Sequence, residues 1–118
     1  MLTDEVRFRL LRMLADHPEA SQREIARELG FSLGKVNFCL KALVEKGLVK
    51  IANFGRSSNK QRYAYLLTAR GAEDKARMTL RFLNRKLKEY EALESEIRQL
   101  QSEALELRRI KRGIVEHD

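Results

Sequence analysis

The sequence predicts a mainly α protein with a small β-hairpin: short helices forming one domain, the hairpin behind them, and a long C-terminal helix. Three observations lead there. Apolar residues recur at helical spacing in short segments, each bounded by a capping residue and by Gly or Pro. Two β-rich runs, residues 48–54 and 62–68, flank a polar loop. From about residue 69 to residue 112 there is no proline, and apolar side chains return every three or four positions. Residues 1–68 therefore read as one domain and residues 69–118 as a separate helical extension.

The first helix covers residues 3–16. Thr3 can cap it, Asp4 and Glu5 favour the positive end of its dipole, and Val6, Leu10, Met13 and Leu14 make a core stripe that Phe8 and Leu11 widen. His17-Pro18 stops it, because the residue before proline avoids the α region. Residues 21–46 then read as two helices joined by a tight turn. Ser21 is an N-cap with Glu24 three residues on, a capping-box pattern, and Ile25, Ala26 and Leu29 share one face. Gly30 ends that helix where positive φ is needed. Ser32 caps the next, whose stripe is Val36, Leu40, Leu43 and Val44, and Gly47 closes it. Two short helices around a glycine turn form a helix-turn-helix, whose second helix is shaped for the DNA major groove.

The polar face of that second helix carries the chemistry. Ser32, Gly34, Lys35, Asn37 and Lys41 lie off the apolar stripe. Asn can pair bidentately with adenine, Lys meets guanine edges or phosphate, and Gly lets backbone approach closely. Phe38 has two readings, contact with a thymine methyl or packing against the first helix. Behind the motif, the hairpin's loop GRSSNKQ (residues 55–61) is a basic wing: Arg56 and Lys60 would lie along phosphates or enter the minor groove, with Ser57, Ser58 and Asn59 as neutral phosphate donors.

Charge agrees with a polyanion partner. The chain has 24 Lys+Arg against 17 Asp+Glu, net +7. Residues 30–62 hold seven basic residues (Lys35, Lys41, Lys46, Lys50, Arg56, Lys60, Arg62) and one acid, Glu45, a local net of +6. Residues 68–118 hold twelve basic and ten acidic residues, a net of +2. Concentration of charge on one module is the footprint of nucleic-acid binding, whereas a solubility device would not cluster.

The same residues carry a family resemblance. Gln22-Arg23-Glu24-Ile25-Ala26, the exit Glu45-Lys46-Gly47-Leu48 and the strand end YAYLLTARG resemble the winged helix of MarR-type bacterial transcription regulators. The core LGKVNFCLKAL, the NF and SSNK of the hairpin and the charged tail are most similar to small MarR-like regulators associated with exopolysaccharide gene clusters. The resemblance spans about residues 2–83. It implies DNA contacts from Ser32, Leu33, Gly34, Lys35, Asn37, Phe38 and Lys41 in the recognition helix and from residues 56–60 in the wing. Typical members dimerise through helices from both chain ends around an effector pocket. Almost nothing precedes the first helix here, so the usual phenolic-ligand pocket is not expected, and no effector is assigned.

In the tail, Leu80, Leu83, Leu87 and Tyr90, then Leu93, Ile97, Leu100, Ala104 and Leu107, form a heptad-like seam. The step Leu87–Tyr90–Leu93 is three then three, a stammer that overwinds a coil locally. About 40 helical residues reach ~60 Å, more than a small domain can cover, so the stripe should meet the same helix of a second subunit as a coiled coil, in either orientation. A back-folded helical hairpin is the rival. Fraying is expected over residues 113–118.

Other classes of function find little support. Lone Cys39 offers no disulfide or zinc cluster and suits a reducing cytoplasm; it reads as a small buried hydrophobe rather than a redox sensor. His17 and His117 have no companion ligands, and no nucleophile–base set, phosphate-cradling loop or paired-carboxylate pocket can be assembled, so no enzyme activity, cofactor or metal is expected. No stretch approaches ~18 apolar residues, so no signal peptide or membrane span is visible. The expectation is a cytoplasmic, homodimeric, sequence-specific regulator binding double-stranded DNA. The alternative is a winged-helix protein-interaction module or coiled-coil scaffold, against which the +6 segment argues, because docking faces are depleted in charge.

Overall fold

Each short helix begins on a side-chain cap. The computed structural model describes residues 2–54 and 62–116. The first helix, α1 (Asp4–Asp16), starts where Thr3 Oγ1 accepts a hydrogen bond from the Val6 amide at 3.2 Å. Helix α2 (Gln22–Leu29) starts at Ser21, whose hydroxyl accepts from the Glu24 amide at 3.1 Å and donates to the Glu24 carboxylate at 3.2 Å. Half of the expected capping box is there: the Glu24 carboxylate meets the Ser21 hydroxyl and not the Ser21 amide. Helix α3 (Leu33–Glu45) starts at Ser32, which accepts from the Lys35 amide at 3.1 Å. Gly30 and Gly47, at φ 73° and 74°, make the left-handed turns that end the motif helices.

The hairpin pairs β1 (Val49–Phe54) with β2 (Arg62–Leu67) antiparallel, from Val49 opposite Leu67 to Phe54 opposite Arg62. The expected outer residues Leu48 and Thr68 stand just beyond the strands and form a clasp. The Thr68 amide donates to the Leu48 carbonyl at 3.0 Å, the Thr68 hydroxyl donates to the Gly47 carbonyl at 2.6 Å, and the Gly71 amide donates to that hydroxyl at 3.1 Å. Here Gly71 is required by close approach: a Cβ at this position would lie 1.9 Å from the Leu48 carbonyl oxygen.

The core of the N-terminal unit, Met1–Leu80, lies where the helices face the base of the hairpin. Leu10, Leu11 and Leu14 from α1, Ile25 from α2, Val36, Leu40 and Leu43 from α3 and Val49 from β1 are all buried. Cys39 is buried among them, as expected for a small hydrophobe. The helix that follows the hairpin, α4 (Ala69–Glu116), contributes its first turns to this unit, with Gly71 and Met78 buried. Arg7 Nε of α1 stands 2.9 Å from Asp74 Oδ2 of α4, an ion pair without hydrogen-bond alignment.

The second unit, Arg81–Asp118, is helical throughout its described residues. An uninterrupted α4 rules out the back-folded hairpin. The helix continues through Gly113 to Glu116. A glycine near a helix end costs only about 1 kcal/mol, and its propensity alone does not stop the helix. No helix among the described residues is long and apolar enough to cross a membrane.

Candidate nucleic-acid interface

Burial of Val36, Cys39, Leu40 and Leu43 fixes which side of α3 faces outward. At about 100° per residue the opposite line is Gly34, Phe38, Lys41 and Glu45, with Asn37 and Leu33 beside it. Gly34, Phe38 and Lys41 are exposed. Phe38 is 58% exposed and Leu33 44%. Of the two readings for Phe38, the structure therefore favours the outward one, at the centre of the face.

The neighbouring polar residues are held in place. The Asn37 side-chain amide donates to Gln22 Oε1 at 3.3 Å, and Gln22 Nε2 donates to the Tyr65 hydroxyl at 3.0 Å. One chain of hydrogen bonds thus joins α3, the start of α2 and strand β2. Among the described residues it leaves the Asn37 carbonyl oxygen and one N–H available. Lys35 turns aside: its Nζ lies 4.2 Å from the centroid of the Phe31 ring. The Arg9 guanidinium lies 4.9 Å from the same ring and donates to the Leu29 carbonyl at 2.9 Å, capping the end of α2. The Ser32 hydroxyl is committed to its cap.

The expected α3 residues are thus adjacent, but they do different things. Gly34, Phe38 and Lys41 form the accessible ridge, Asn37 is oriented from behind, and Lys35 and Ser32 border the ridge at the positive end of the helix dipole. Arg56, Ser57, Ser58, Asn59 and Lys60 lie outside the described residues. Gln22, Tyr65 and Phe31 were not legible as site residues. Gln22 and Tyr65 are 43 positions apart, and no local spacing announces their contact. A cleft of about 240 Å³ opens beside the ridge, lined by Asn37, Lys41, Val44, Ile51 and Tyr65 among others.

The second candidate surface is the seam of α4. Leu80, Leu83, Leu87, Tyr90, Leu93, Ile97, Leu100, Ala104 and Leu107 are all exposed. Leu105, Ile110 and Ile114 are exposed too.

Residues 3–50 match the profile of a family described as winged helix-turn-helix DNA-binding. The chain carries a winged helix-turn-helix domain. Solved structures of similar fold include MarR-family regulators. A MarR/EmrR family transcriptional regulator from Acinetobacter sp. ADP1 matches with TM-score 0.61 and 27% identity, over 86% of this chain and 71% of that one. Lactococcus lactis ZitR in complex with DNA matches with TM-score 0.58 and 26% identity, over 79% of this chain and 60% of that one. Staphylococcus aureus MarR in complex with salicylate and kanamycin matches with TM-score 0.55 and 22% identity, a likeness of fold alone. The match covers 70% of this chain and about half, 53%, of that regulator. A comparison with curated proteins found no match. The winged helix-turn-helix assignment makes α3, the second helix of the motif, the candidate recognition helix, and the outward ridge is its exposed face.

Proposed function

We propose that this protein is a sequence-specific regulator of transcription that binds double-stranded DNA as a homodimer of the MarR type. The observation that carries the reading is the α3 face: an exposed Gly34–Phe38–Lys41 ridge with Asn37 oriented beside it, in a segment of local net charge +6. Gly34 admits close backbone approach, Phe38 offers an apolar surface to thymine methyls, and Asn37 offers an acceptor and a donor to adenine. Lys35 and Lys41, with Arg56 and Lys60 of the wing, supply phosphate attraction. The Lactococcus structure, solved with DNA, supports the same use of the fold here. Control of exopolysaccharide genes is the narrower reading suggested by the resemblance of LGKVNFCLKAL to that group of regulators.

A two-fold dimer would present two recognition helices to half-sites about one helical turn apart. The seam of α4 is the dimerising surface in this reading, because its apolar residues have no cover within their own unit. A second reading, a protein-docking module, is favoured by one observation: Phe38 and Leu33 are exposed apolar groups of the kind that anchor protein interfaces.

Binding of the full chain to random and promoter DNA at several salt concentrations, with mass measured in parallel, separates the two. Salt-sensitive binding by a dimer, tighter on some promoters than on random sequence, is expected. A folded dimer that ignores DNA at low salt would leave the docking module. Preference for promoters of exopolysaccharide genes tests the narrower reading.

A further inference from the structure

The exposed seam of α4 carries information about orientation as well as association. After the three-residue step from Tyr90 to Leu93, the spacing settles into regular heptads. Ile97 and Ala104 take the first core position, a, while Leu93, Leu100 and Leu107 take the second, d. Lys111 and Ile114 fall on the next a and d. A β-branched residue at a with Leu at d suits two parallel strands, and a single Lys at a specifies register at some cost in stability.

The residues flanking the seam point the same way. Before the step, Lys86 precedes an a position and Glu91 follows a d position; after it, Glu103 and Arg108 do the same. In a parallel, in-register pair such residues meet across the interface. Lys86 then faces Glu91 of the second copy, and Glu103 faces Arg108 of the second copy, each twice by symmetry. Glu96 meets Gln101, which is neutral, and across the step Glu89 meets Glu94 of the second copy, the one like-charge pair. In the single chain Lys86 Nζ rests 3.1 Å from Glu89, so the new pairing needs only a rotamer change of an exposed side chain. An antiparallel arrangement can also align apolar layers, Leu87 with Leu100 and Ile97 with Tyr90. It keeps a Lys86–Glu103 attraction but sets Glu91 against Glu94, twice. With two kinds of attractive pair against one like-charge pair, where the antiparallel form has one of each, the parallel arrangement has the better charge balance.

We infer that residues 83–114 pair with a second copy of this chain as a parallel, in-register, two-stranded coiled coil, which rests on the homodimer reading above. The span is about 45 Å, over four heptads. Parallel pairing brings both copies of Leu83 to the same end of the coil, so the two chains enter it side by side, as adjacent half-sites on one DNA face require.

The test uses the full chain carrying Leu83→Cys or Leu107→Cys, made separately and oxidised in a glutathione buffer while mass is measured. Cys39 has no exposed surface, so the introduced thiol is the reactive one. Each variant is expected to be a dimer and to link to itself. Lys86→Glu should weaken the dimer on the order of tenfold, and adding Glu91→Lys should restore it. A dimer in which either cysteine variant fails to self-link overturns the parallel, in-register pairing and leaves the homodimer standing. Efficient linking only between Leu83→Cys and Ala104→Cys would identify the antiparallel form. A trimer or tetramer overturns the two-stranded coil, and a monomer at micromolar concentration overturns the homodimer as well. DNA binding, read separately, is untouched by any of these outcomes.

Discussion

The two units of this chain treat apolar side chains in opposite ways. In Met1–Leu80, Leu10 and Leu11 are 0% exposed, enclosed by helices and hairpin. In Arg81–Asp118, Leu100 is 63% exposed, and the other leucines of the seam have the same character. The first unit contains the partners for its own core, although Phe38, Leu33 and Ile51 stay exposed. The second leaves its repeated apolar groups exposed, at a spacing that suits another helix. Stability in the first should therefore be a property of the single chain, and in the second a property of its concentration.

The largest test of that contrast is a pair of matched deletions. Leu11→Ala should cost about 2–5 kcal/mol of unfolding free energy, read by urea titration, because the cavity left in a closed core cannot fill. Leu105→Ala, off the heptad seam, should stay within about 0.5 kcal/mol. Similar losses at both sites would erase the distinction between the units. Gly71→Ala comes next, at about 1–3 kcal/mol, because a Cβ would meet the Leu48 carbonyl at 1.9 Å. A neutral result in the same titration would mean that the clasp gives way easily.

On the proposed DNA face, Asn37→Ala and Phe38→Ala should each lose about 1–3 kcal/mol on a preferred site and little on random DNA. Equal loss on both would remove base reading from that residue. Lys35, drawn towards Phe31, is the one whose loss should fall most evenly on the two DNAs. Gln22→Ala probes orientation at a distance: it should weaken preferred-site binding only while Asn37 is present. The double variant with Asn37→Ala checks this, and additive losses would argue against it. Joint substitution of Arg56 and Lys60 by Ala should weaken binding to all sequences and lower the salt slope by about two phosphates. An unchanged slope would take the wing out of contact. Smallest of all, Arg98→Ala removes an exposed i,i+4 pair with Glu94 and should lower helix stability by about 0.3–0.5 kcal/mol.

Most of the fold was legible because its signals are local. Thr3, Ser21 and Ser32 cap helices by reaching three residues ahead, and Gly30 and Gly47 turn the chain where only small residues do so freely. Stripes at helical spacing in α1 and α3 identified most of the buried residues, with Met13 and Val44 only half-buried. Features that depend on distant segments were not legible. Gly71 reads in the sequence as an ordinary residue near a helix start, yet its size is set by Leu48, across the hairpin. Nothing local links Gln22 to Tyr65, or Arg9 to the Phe31 ring. The α3 residues could be chosen from sequence, but their division into an accessible ridge and oriented neighbours needed the packing.

The burial of Cys39 has a practical consequence. It is the one cysteine of the sequence and has no exposed surface, in the core behind the recognition helix. A thiol reagent can reach it only when that core opens, so the labelling rate clocks the opening of the unmodified protein. Added DNA that grips the closed form should slow the clock, and DNA that is not bound should leave it running at the same pace.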